Sequence, residues 1–133
     1  MLVLASGMYD PNAKCSFSDV QQNAWYYSYV ASAENSGLVS GASETEFGTG
    51  RSISRQDMAV LCYRYMKNNK TPEKKRDAAQ FIDGELIRDY AKTAVNELYM
   101  AGIINGVGDN EFDPDGIATR AQGTMMIYNL FFK

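Results

Sequence analysis

Two short segments join a hydroxyl, a cation and a longer polar side chain at a spacing that could do chemistry. They are Ile53-Ser54-Arg55-Gln56-Asp57 and, 65 residues later, Ala118-Thr119-Arg120-Ala121-Gln122. In each, Ser54 or Thr119 precedes an apolar-periodic run, and three residues on Asp57 or Gln122 can reach back, which is the pattern of a helix capping box. Each segment is therefore expected to start a helix. Arg55 and Arg120 fall in the first turn, where the positive end of the helix dipole opposes a cation, so helix stability does not explain them. Free N–H groups at a helix start, beside an arginine, can hold an anion such as a carboxylate carried on a glycan. The same arginines can instead pair with a nearby carboxylate, Asp19 or Asp83, and close a loop. The residues alone leave both readings open.

Other chemistries find little support. The chain has no histidine, which removes the commonest general base and the commonest zinc ligand. No nucleophile elbow occurs, and Gly106-Val107-Gly108 lacks the strand and helix context of a phosphate-binding loop. Asp113 and Asp115 sit in a loop with nothing to raise a carboxylate pKa. No catalytic residue, cofactor or metal is expected. Glu111, Asp113, Asp115 and Gly116 do match the opening positions of a calcium-binding loop, but its closing glutamate is replaced by Gln122. A formal charge of −3 leaves no cationic excess for phosphates, so a general nucleic-acid role is disfavoured. No apolar run reaches the roughly 18 residues of a membrane span, so membrane insertion is not expected. Met1 to Gly7 is short and lacks a basic leader, unlike a targeting segment. Cys15 and Cys62 are too few to define a disulfide framework, and the redox compartment stays open.

The elements that must position these residues form a repeat. Phe17-Ser18-Asp19 answers Phe81-Ile82-Asp83 at an offset of 64, and an offset of 65 then relates Val30 to Val95, Gly37 to Gly102, Gly41 to Gly106, Phe47 to Phe112 and Arg55 to Arg120. A first helix is expected from Asn23 or Asp89 as N-cap, with the stripe Tyr26, Tyr29, Val30, Ala33 or Ala91, Ala94, Val95, Leu98. Gly37 and Gly102 should end it in left-handed conformation, followed by an apolar anchor and a turn at Gly41 or Gly106. A loop then returns Phe47 or Phe112 to the core. The second helix should bury Met58, Leu61, Cys62 and Tyr65, matched by Gly123, Met126, Ile127 and Leu130, with Gly123 at a close helix contact. Residues 67–80 read as a solvated basic linker with room for a helical turn. Residues 1–8 resemble the last helix of a truncated upstream repeat, which divides the chain into 1–8, a repeat at 17–66, the linker, and a repeat at 81–133.

Taken together, the Phe-x-Asp, the glycine turns Gly102-Ile103-Ile104-Asn105-Gly106, Phe112-Asp113-Pro114 and Thr119-Arg120-Ala121-Gln122 resemble the S-layer homology domain of bacterial cell-surface proteins. The resemblance covers nearly the whole chain. The first repeat is the more divergent, with Ser54-Arg55-Gln56-Asp57 and no proline after Phe47, although Trp25 keeps the family's tryptophan where the second repeat has Tyr90. The resemblance implies an all-α fold of tandem helical repeats around a shared helix bundle. It also implies a secreted, non-catalytic module at the bacterial cell wall that binds a secondary cell-wall polysaccharide attached to peptidoglycan, often pyruvylated, in grooves between repeats. By position the glycan-binding candidates are Trp25, Gly41, Ser54, Arg55, Tyr90, Gly106, Thr119 and Arg120. An aromatic ring would stack on sugar, the arginine would take the carboxylate, and the glycines would admit sugar to backbone N–H groups. Asp19 and Asp83 would organise the loop or orient the arginine. For Trp25, core packing is an equal alternative.

A second class keeps the fold but uses its surface as an envelope assembly module, with tyrosines as the interface. A homodimer or swapped oligomer is also open, because a truncated upstream repeat would leave apolar surface to cover.

Overall fold

Helical periodicity and glycine stops define most of the fold. The structure, a computed structural model, describes residues 1–69 and 72–132. Among these residues are the helices α1 (Leu2–Ala5), α2 (Tyr27–Asn35), α3 (Arg55–Asn69), α4 (Asp89–Met100) and α5 (Arg120–Phe132), with a 3-10 turn at Gly84–Leu86. Among the described residues strand pairing is confined to isolated bridges, so the fold is all-α as the sequence implied. The chain divides into two compact units, Met1–Arg51 and Ser52–Lys133. The break falls inside the first sequence repeat, so α3 belongs to the unit that holds the second repeat.

In the first unit α1 packs on α2. Phe17, Val20 and Val30 form its core with Tyr26, Tyr27, Val39 and Phe47 against them. The helix start differs from the expected one. Turns closed by the N–H groups of Ala24 and Tyr27 onto the carbonyls of Gln21 and Ala24 occupy the stretch around Asn23, and α2 begins at Tyr27. Local turn bonds there outcompete a cap, and Trp25 is left in the turn at 83% exposure. Core packing of Trp25 is thereby excluded.

In the second unit α3 packs against both α4 and α5. The expected stripe on α4 is buried in full. Its cap is Arg88, in extended conformation, and Asp89 is the first helical residue, where its carboxylate meets the Lys92 ammonium at 2.9 Å. Gly37 and Gly102 both take positive φ, and Leu38 and Ile103 donate back to Ala33 and Leu98, so both first helices of the repeats end as their glycines predicted.

The two second helices are not packed alike. In α5 the buried positions include Gly123, Met126 and Leu130 as expected, with Asn129 in place of the half-buried Ile127. In α3 the buried face is Arg55, Gln56, Ala59, Cys62 and Met66, while Met58, Leu61 and Tyr65 are half-buried. The apolar stripe was misplaced because α3 is flanked on two sides, and its most enclosed residues lie between the stripes a one-sided helix would show. Burial pushes the Cys62 thiol up to about 12, so it acts as a small hydrophobe, as its position implied.

The basic stretch after α3 carries no helical turn between residues 72 and 80, and Lys70 and Thr71 lie outside the described residues. It is also more than solvated surface. Arg76 donates to the carbonyls of Tyr99 and Ile104 and, at 2.9 Å, to the Asn105 side chain, with its guanidinium 3.8 Å from the Tyr99 ring centre. An exposed helix end offers unpaired carbonyls, and a guanidinium satisfies several at once.

Candidate functional site

Each repeat builds its loop around one aspartate. The Asp19 carboxylate accepts N–H bonds from Phe47, Gly48 and Thr49 at 2.8 to 2.9 Å. Asp83 accepts those of Phe112 and Asp113 at 2.8 and 2.7 Å. The Thr49 and Phe47 N–H groups hold Asp19 down to about 2, below the usual carboxylate range. Its folded-state pKa is depressed, so its contribution to stability is present above about pH 4 and is lost as pH falls toward about 2. An Asp19→Asn chain is expected to melt lower than wild type at pH 6, with the difference shrinking between pH 4 and 2 in parallel thermal melts.

The glycine turns close on the protein itself. Gly41 has a φ of +79°, and a Cβ there would lie 2.7 Å from the carbonyl oxygens of Glu46 and Ser43 and against the Phe17 ring. At Gly106 a Cβ would collide with the Glu111 carbonyl and press on Phe81. The space left by the missing side chains is filled by the loop and the Phe-x-Asp phenylalanine.

Both hydroxyl caps form at the predicted places, but only the second closes as a full capping box. Thr119 Oγ1 accepts the Gln122 N–H at 3.2 Å and Gln122 Oε1 accepts the Thr119 N–H at 3.0 Å, so the glutamine closes the box in both directions. Ser54 Oγ accepts the Asp57 N–H at 3.2 Å, whereas Asp57 turns its carboxylate to the Tyr90 hydroxyl at 2.6 Å. The two helix starts are tied together through the Ala118 N–H on the Ile53 carbonyl and the bridge between Ser54 and Ile117.

The two arginines have different surroundings. Arg55 is 3% exposed, donates to the Phe112 carbonyl at 2.7 Å and the Asn105 carbonyl at 3.0 Å, and lies 4.9 Å from the Phe112 ring centre. Its own N–H and that of Gln56 reach the carbonyls of Gly116 and Pro114. Burial lowers the Arg55 pKa, opposed by the charges of Asp113 and Asp83. Its hydrogen-bond partners are therefore carbonyl oxygens, and the Asp83 carboxylate acts on it through the loop and the field. Arg120, in contrast, is exposed.

Around Tyr90 a polar cluster faces solvent. Tyr90 is 56% exposed, and beside it Arg88 meets Asp115 at 3.2 Å while Gln56 donates to the same carboxylate and accepts the Arg88 N–H. The bond to Tyr90 and the charge of Asp115 raise the Arg88 pKa. The structure thus brings Ser54, Arg55, Tyr90 and Gly106 into one region of the second unit, with Thr119 and Arg120 tied on through the bridge; Trp25 and Gly41 belong to the first unit. Arg88 was missed by motif reading. Its signal was only a cation at the N-cap, one residue before Asp89. A shallow cleft of about 200 Å³ beside Gly84, Ile87 and Lys92 contains none of these candidates. Among the described residues no cluster of three or more acidic or thiol ligands could hold a metal, and Asp115, needed by the calcium-loop reading, faces Arg88 and Gln56.

The profile of the S-layer homology domain matches residues 16–59 and 87–122. An exoglucanase XynX of Acetivibrio thermocellus is 36% identical over 118 residues, 88% of this chain and 11% of that protein. An amylopullulanase of Thermoanaerobacterium thermosulfurigenes is 31% identical over 134 residues, 100% of this chain and 7% of that protein. A surface-layer 125 kDa protein of Lysinibacillus sphaericus is 27% identical over 108 residues, 79% of this chain and 9% of that protein. The chain therefore spans a small share of each relative. No helix among the described residues is long and apolar enough to cross a membrane.

Proposed function

From the premise that this chain belongs to the S-layer homology domain family, which makes it an extracellular, non-catalytic cell-wall anchoring module, we propose that it holds its parent protein to the wall through an anionic, pyruvylated secondary cell-wall polysaccharide. The observation that carries the site is the exposed Tyr90 ring beside Arg88, Asp57 and Ser54, where the second helix of one repeat meets the first helix of the next. The ring stacks on a sugar face, the carboxylates of Asp57 and Asp115 accept sugar hydroxyls, and Arg88 takes the ligand's carboxylate. Its present pair with Asp115 is solvated on both sides and holds it only weakly. Arg55 and Gly106 act through the loop they hold and do not touch sugar. Trp25 offers the equivalent ring in the first unit.

The test is co-sedimentation of the chain with wall sacculi before and after removal of the secondary polysaccharide. Binding is expected to require the polysaccharide and to fall about tenfold or more in Tyr90→Ala and in Arg88→Gln, both solvent-exposed changes that keep the fold. Equal pelleting of wild type and both variants would refute this site. The alternative, an envelope assembly module of the same fold, is favoured by apolar exposure along α5, where Met125, Tyr128 and Phe132 are 43%, 57% and 74% exposed.

A further inference from the structure

Asn105-Gly106 is the only Asn-Gly pair in the sequence; the first repeat has Ser40-Gly41 at the equivalent place. An asparagine followed by glycine can modify itself, because no side chain on the glycine keeps its nitrogen from the asparagine side-chain carbonyl carbon. Both residues are exposed, so water and base reach them. Two further pairs of related chemistry lie in the same unit, Asp83-Gly84 and Asp115-Gly116. Their glycine N–H groups are engaged, Gly84 on the Phe81 carbonyl at 3.0 Å and Gly116 on the Asp113 carbonyl at 3.2 Å. The Gly106 N–H has no acceptor among the described residues.

The two carbonyl oxygens of Asn105 are each held by a guanidinium. Arg76 Nη1 donates to Oδ1 at 2.9 Å, and Arg55 Nη2 donates to the main-chain oxygen at 3.0 Å. Arg76 is itself fixed by the carbonyls of Tyr99 and Ile104 and by the Tyr99 ring. When the Gly106 nitrogen adds to the side-chain carbon, negative charge develops on Oδ1. A fixed cationic donor already lies there, which is the arrangement that stabilises an oxyanion.

We propose that Asn105 is a self-modification site of the folded chain, converted to aspartate with Arg76 as the group that stabilises the charge on Oδ1. The Gly106 nitrogen gives its proton to solvent and bonds to Cγ of Asn105, and the bond from Cγ to Nδ2 breaks as ammonia leaves, which closes a five-membered imide. Water then adds at Cγ, the bond to the Gly106 nitrogen breaks, and that nitrogen regains a proton. One water is consumed, one ammonia is released, and nothing is oxidised or reduced. Opening at the main-chain carbonyl would instead give isoaspartate. That carbonyl is turned to Arg55, which is 3% exposed, and the longer backbone of isoaspartate has no room where Gly106 is pressed against the Glu111 carbonyl. The aspartate product places a carboxylate against Arg76 and ties the linker more firmly to the turn that Arg55 holds.

The test is peptide mapping by mass spectrometry of the folded chain aged at mildly alkaline pH, beside the same chain unfolded in urea, with isoaspartate read by enzymatic methyl labelling. In the folded chain, conversion at residue 105 to aspartate over isoaspartate is expected, whereas the unfolded chain yields mainly isoaspartate. Arg76→Gln, checked for folding by its thermal melt, is expected to slow conversion by about threefold or more, a smaller loss than at a water-excluded oxyanion site, and to raise the isoaspartate share. Arg76→Lys keeps one cationic donor and should fall between the two. Asn105→Asp, the product made directly, is expected to melt no lower than wild type at neutral pH. The proposal is overturned if the folded chain stays unconverted while the unfolded chain reacts, or if isoaspartate predominates in the folded chain. It is equally overturned if folded Arg76→Gln and Arg76→Lys react as fast as wild type or faster, which would make Arg76 a restraint on Asn105.

Discussion

Replacing Arg55 by alanine is expected to destabilise the second unit by about 2–4 kcal/mol, while Arg120→Ala stays within about 0.5 kcal/mol of wild type. The two residues occupy the same motif position, and the difference follows from what their guanidinium groups touch. Without Arg55 the Phe112 carbonyl loses its 2.7 Å donor inside a buried contact, and the Phe112 ring loses the cation over it. The Asn105 carbonyl loses the Arg55 donor too, although water can reach that exposed residue. Lysine does not rescue the site, because one ammonium cannot span two carbonyls as a planar guanidinium does. Urea melts of both variants would measure the effect. Equal stability of Arg55→Ala and wild type, joined to lost sacculus binding, would instead make Arg55 a ligand contact.

Gly106→Ala is the second large effect, expected at about 2–3 kcal/mol. The new Cβ meets the Glu111 carbonyl, which is already engaged by the Val107 N–H at 2.8 Å, and the Phe81 ring behind it. Neither neighbour is the free end of a flexible chain, so the loop must open. The opening would also move the Phe112 carbonyl that Arg55 holds. Gly84→Ala is the matched control, since a Cβ there meets nothing and its φ is ordinary; reduced freedom of the unfolded chain makes it neutral or slightly stabilising. If Gly106→Ala melted with wild type and failed on sacculi alone, the glycine would be serving the ligand and not the loop.

Much of the site was legible because capping is local. Ser54 with Asp57, and Thr119 with Gln122, lie within one helical turn of each other, so their bonds depend on little beyond the chain itself. The same holds for the positive φ of Gly37 and Gly102, which no other residue type adopts as readily. The misplaced α2 start shows the limit of that logic. Asn23 can cap a helix or sit in a turn with similar ease, and the competition was decided by backbone bonds closing around Ala24.

The sequence by itself determined the all-helical repeat, the helix starts at both hydroxyl–arginine motifs, the glycine stops, and the return of Phe112 to the core. These follow from periodicity and from contacts a few residues apart. Tertiary structure alone decided what each arginine does. Arg55 is buried on a loop about 50 residues further along the chain while Arg120 faces solvent, and no local pattern separates them. It also decided that α3 is enclosed on two sides, that Arg76 clips the linker to the end of α4, and that Arg88 joins Tyr90. A guanidinium is satisfied by whichever carbonyls folding brings within reach, and their positions are set by the packing of both repeats together.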